Sequence, residues 1–175
     1  MMRSLIIICV FFLSYTAGSS VHGTKDEEYR VLSQILGPAE KFFLSLKNSE
    51  YGTAWDLLSG HSQRKIVNDV YESSRKFKGD INREDIVRDF DRRGMMFTQY
   101  WNSFLRTFDA DMILEQSQWD MGEITRNEAD IIIQHNHSHK PTILKMHKEK
   151  DGWRVGLVET FWQRKGLNLL RFIFQ

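Results

Sequence analysis

Three histidines at alternate positions, His135, His137 and His139, are the sharpest chemical signal in the chain. On an extended strand such residues face one side, so three imidazoles could converge on Zn²⁺ or Cu²⁺. Same-face neighbours on a strand sit about 6–7 Å apart, so a shared ion requires the strand to bend. The competing reading is a solvated strand end running into Lys140-Pro141, and no resident metal or other cofactor is expected. A second candidate is a carboxylate base. Glu115 shares strand parity with Ile113, Ser117 and Trp119, and Asp111 lies at the start of the same run. A carboxylate buried among apolar neighbours is a better base, and with Tyr71 or Tyr100 donating from a helix it would suit proton abstraction beside a carbonyl. Met112 and Leu114 make the opposite parity equally apolar, so the alternative is a solvated Glu115 with the tyrosines in the rim of the core. A third set comprises Trp55, Phe97, Trp101, Phe104, Trp119, Met146 and Trp153. These could line a pocket for a small apolar ligand, or simply fill the space between helix and sheet.

The elements that would position these groups fall into two blocks. From Pro38 to Phe108 the apolar residues recur at helical spacing; from Asp111 to Trp162 they alternate. That segregation predicts an α+β fold, with helices packed on one face of an antiparallel sheet. Residues 24–37 form a polar lead-in, and Pro38 occupies a first helical position ahead of Ala39, Phe42, Phe43 and Leu46. Further helical segments are predicted from Tyr51 to Leu58, from His61 to Phe77, in a short turn capped by Asn82, and from Met95 to Phe108. The alternating block predicts four strands: Met112 to Thr125 with a bend near Gly122, Ala129 to His139, Thr142 to Lys148, and Trp153 to Thr160. Asp151-Gly152 is a hairpin signal between the last two.

Two stretches carry a likeness to known proteins. Gly37 to Ser59, GPAEKFFLSLKNSEYGTAWDLLS, has an amphipathic helix ending at a polar joint, then a second helix opening on an alanine-aromatic pair. Lys148 to Glu159, KEKDGWRVGLVE, has a Gly-Trp pair at the start of a final strand. Together they resemble exported members of the nuclear transport factor 2-like superfamily, over roughly Pro38 to Thr160. The resemblance implies a cone: N-terminal helices in the concave face of a curved four-stranded antiparallel sheet, around an apolar pocket. It brings no catalytic signature, because these are packing motifs shared by isomerases, dehydratases, transport adaptors and exported domains without assigned activity.

The two ends have their own readings. Arg3, the apolar run Leu5 to Leu13 and the small residues that follow make residues 1–23 a secretory signal peptide, cleaved after Gly18, Ser20 or Gly23. The run is about half the length that a spanning helix needs, so no transmembrane span is expected in the mature chain. The only cysteine, Cys9, lies in this leader, which leaves a core of residues 38–162 without disulfides. With Arg3 removed, 24 basic residues become 23 and equal the 23 acidic ones. That balance disfavours a nucleic-acid partner. Asn136-His137-Ser138 matches a glycosylation sequon, relevant in a eukaryotic source. Residues 163–175 form an amphipathic tail, too short to span a bilayer and apolar enough to pack on its own domain, a second copy or a partner. The expectation is a periplasmic or extracellular, non-catalytic binding or interaction module, with homodimerisation through the sheet or tail a further option. Its alternatives are a small pocket enzyme using Glu115 or Asp111, and a histidine metal site.

Overall fold

The computed structural model describes residues 25–78 and 81–161. The predicted leader and the tail from 163 onward lie outside the described residues. Among the described residues six helices precede the sheet: α1 (Lys25–Lys47), α2 (Tyr51–Asp56), α3 (Gly60–Lys78), α4 (Arg83–Asp91), α5 (Met95–Leu105) and α6 (Ala110–Glu115). Four strands follow, β1 (Ser117–Ile124), β2 (Glu128–His135), β3 (Thr142–Glu149) and β4 (Gly152–Gly156), and then α7 (Leu157–Phe161). The strands pair antiparallel in the order β1-β2-β3-β4, with helices packed against the sheet, so the α+β class is as expected. Among the described residues no helix is long and apolar enough to cross a membrane.

Several boundaries differ from the pattern-based expectation. The lead-in from residue 25 is helical, so Pro38 lies inside α1 and not at its start. A proline there removes one backbone hydrogen bond. The helix nevertheless continues, because Ile35 is buried on the same face as Ala39, Phe42, Phe43 and Leu46. The segment expected to open the first strand is instead α6. Asp109 caps it, its carboxylate accepting from the Met112 N–H at 3.0 Å, and Ala110 and Ile113 bury one helical face. The predicted fourth strand ends at Gly156, and Leu157 to Phe161 turn into α7.

Other signals act as read. Asn82 accepts from the Asp85 N–H at 2.8 Å at the start of α4, and Gly94 is the N-cap of α5. Gly152 takes φ +125° in the β3–β4 hairpin, a conformation that favours glycine. The inward face of the sheet carries Trp119, Ala129, Ile131, Ile133, Leu144, Met146, Trp153 and Val155, all buried. On the outer face, the Lys145 amine bridges both oxygens of Asp130 at 2.9 Å across paired positions of β2 and β3. The β1–β2 register shifts between Met121 and Ile124, a bulge around Gly122.

One non-local pairing positions the region described next. The joint between α2 and α3 adds to the edge of β4: the Val155 N–H donates to the Leu57 carbonyl at 2.8 Å, and the Ser59 N–H to the Val155 carbonyl at 2.9 Å. This sets the first turn of α3 beside the sheet and α7.

Candidate functional site

The predicted carboxylate base is dispersed by the fold. Glu115 closes α6 rather than lying on a strand, and its side chain is 63% exposed. The Lys47 amine, at the end of α1, lies 2.5 Å from Asp111 Oδ1 and 2.6 Å from Glu115 Oε1. The carboxylate of Asp111, then that of Glu115, hold this ammonium protonated well above the usual lysine range. Both candidate bases are thus exposed partners of a cation, not members of an apolar pocket. Nor do the tyrosines serve them as acids. The Tyr100 hydroxyl is fully buried with no hydrogen-bond partner among the described residues, and burial, with a contribution from Asp69, pushes its pKa far up. Tyr71 is half-buried on α3, with the Arg75 guanidinium 5.7 Å from its ring centroid.

The predicted pocket residues are brought together, but as packing. Trp101 packs against Phe97, Phe104 and Tyr100 at ring separations of 6.4, 5.6 and 5.2 Å. Trp55 lies 5.1 Å from Phe90 and 5.8 Å from Phe97. Trp119 meets Phe43 edge-on at 5.6 Å, and its indole N–H donates to the Ile113 carbonyl at 3.1 Å. Met146 is wholly buried and Trp153 nearly so. These contacts are the edge-to-face and tilted arrangements usual among packed aromatic rings.

The three histidines also part company. β2 ends at His135, so His137 and His139 belong to the exposed turn that follows it and not to a common strand face. Among the described residues no three His, Cys, Asp or Glu side chains converge as a metal site.

A different group of polar side chains is assembled where α3, the β2–β3 pair and α7 meet. It borders an open groove of about 580 Å³, lined by Ser59, His61, Arg64, Asn127, Glu128, His147, Lys148, Glu149 and Glu159. Ser59 caps α3, its hydroxyl oxygen accepting from the Ser62 N–H at 3.0 Å. Glu159, in α7 and only 17% exposed, accepts from the hydroxyls of Ser59 at 3.2 Å and Ser62 at 2.7 Å. Glu149 accepts the Gly60 N–H at 2.8 Å. Two carboxylates therefore face the positive end of a 19-residue helix, an arrangement its dipole favours. His147 stands between acids: Nδ1 is 3.7 Å from Glu128 Oε1 and Nε2 is 3.5 Å from Glu159 Oε1. Its ring lies over Gly156, where a Cβ would come within 2.8 Å of the imidazole.

His147 and Glu159 carry no motif in the sequence that marks them as partners. A local signal existed in the Ser59-x-x-Ser62 spacing ahead of a helical run. The link from Ser62 to Glu159 spans 97 positions, and no pattern along the chain encodes it. Both hydroxyls donate to the Glu159 carboxylate, whereas a serine nucleophile needs an adjacent base that accepts its proton. A second depression, of about 450 Å³, lies beside Lys47, Arg106, Phe108, Asp109 and Asp111.

Comparison with known protein families, curated proteins and solved structures finds no match.

Proposed function

We propose that this chain is an exported, non-catalytic binding or protein-interaction module of the nuclear transport factor 2-like cone type. In this reading it meets its partner through the polar groove at the head of α3 rather than by enclosing an apolar ligand. The observation that carries the reading is the packing of Trp55, Phe97, Trp101 and Phe104 on one another and of Trp119 on Phe43, the side chains that a ligand would otherwise displace. The exposed, cation-paired state of Asp111 and Glu115 counts in the same direction, against a small pocket enzyme. The leader-like sequence of residues 1–23 supports export, to the periplasm or outside the cell. A groove that mixes Arg64 and Lys148 with Glu128 and Glu149 suits a polar, charged segment of another protein.

Two measurements test this. Mass spectrometry of the protein recovered from its native host should find the N-terminus at Ser19, Val21 or Thr24; an intact Met1 in the recovered protein contradicts export by cleavage. A photo-crosslinking residue placed at Arg64 or Lys148 in that host should give a discrete adduct, while one at the exposed Leu44 of α1 should not. Adducts from Leu44 alone, or none from the groove, would refute the groove as the contact surface.

A further inference from the structure

The far end of β2 from the groove carries the two imidazoles of His135 and His137, with ring centroids 5.6 Å apart and planes at 78°. We propose that these two side chains form a surface site for one Zn²⁺-like divalent ion, separate from the groove and independent of it. The spacing is the first argument. A Zn–N bond of about 2.0–2.1 Å puts the metal about 3.2 Å from an imidazole centroid, so two such ligands at a tetrahedral angle have centroids about 5.2 Å apart. The observed pair is within a few tenths of an ångström of that separation, and His137 is exposed and able to turn.

The tautomer is the second argument. His135 Nδ1 lies 3.0 Å from the Gln116 carbonyl oxygen, which can only accept. In the neutral ring Nδ1 therefore carries the proton and Nε2 the lone pair. A metal-binding histidine characteristically has its other nitrogen held by a carbonyl or carboxylate in this way.

The third argument is that the turn is fixed by neighbours and not left as a loose run of histidines. The Asn136 N–H donates to the same Gln116 carbonyl at 3.1 Å, and the Ser138 N–H closes the turn onto the His135 carbonyl at 3.0 Å. The Gln134 side-chain amide donates to the carbonyls of His135 and Ser138. His139 lies past this closure and is not part of the site. With two protein ligands, water fills the remaining positions, so the ion is exchangeable.

Calorimetric titration of the untagged full chain with ZnCl₂ should show one equivalent bound. His135→Gln or His137→Gln should each weaken it by roughly tenfold or more, the scale of loss seen on disturbing metal ligation. His139→Gln should leave it unchanged. A second readout needs no variant: in long-range ¹⁵N spectra of the wild-type imidazoles, Zn²⁺ should move His135 Nε2 far more than Nδ1. The proposal is overturned by absence of binding, by binding that survives in the His135→Gln/His137→Gln double variant, or by equal loss in His139→Gln. That last result would mean that a flexible histidine run chelates the ion.

Discussion

Tyr100 is the residue whose chemistry the fold alters most. Its hydroxyl is buried without a partner, so the protein bears a desolvation cost with no hydrogen bond to offset it. Tyr100→Phe should therefore raise the unfolding free energy by about 1 kcal/mol at neutral pH, measured by urea denaturation. The pH dependence has a definite sign. The folded chain holds this proton above the ordinary tyrosine value of about 10, where the unfolded chain releases it. Stability from this group is complete below that pH and is lost as pH rises above it, and Tyr100→Phe should flatten the alkaline decline. Lys47 shows the same direction by another cause, its two carboxylate partners. In competitive acetylation at mildly alkaline pH it should react more slowly than the exposed Lys41 of the same helix. The Asp111→Asn/Glu115→Gln pair should remove the difference.

At the scale of elements, the alternation of inward Ile131, Ile133, Leu144 and Met146 made β2 and β3 legible, because period-two burial is a local pattern. The start of the sheet was not. Met112, Ile113 and Leu114 are apolar in both strand parities, and what decides for helix is the cap from Asp109, a contact that periodicity does not reveal. Asp109→Ala should lower stability by about 1 kcal/mol through loss of that cap. A change below a few tenths would show that burial of Ala110 and Ile113 alone holds α6. Pro38 misled in the opposite sense. Its usual preference for a first turn is outweighed by Ile35, whose burial extends the apolar face of α1 backwards past the proline.

Across the whole molecule, the separation of helix-forming and strand-forming sequence carried through to a layered α+β structure, but the polar assembly at the groove did not announce itself. Its members come from α3, β2, β3 and α7, and only the addition of the Leu57–Ser59 joint to the edge of β4 brings them within reach. Gly156 is where that assembly is most exposed to a small change. A methyl group there would collide with the His147 ring and lie 3.0 Å from the Lys145 carbonyl. Gly156→Ala should cost about 1–3 kcal/mol and shift the imidazole resonances of His147. An unchanged His147 spectrum would mean that its position does not depend on the close approach. The proposed surface role requires that the interior be filled by its own aromatic side chains. Xenon enters dry apolar cavities, so NMR of the chain under xenon pressure tests this most directly. The account predicts no saturable shifts at Trp101, Phe104 or Met146; saturable shifts confined to those residues would reveal an interior ligand pocket and contradict it.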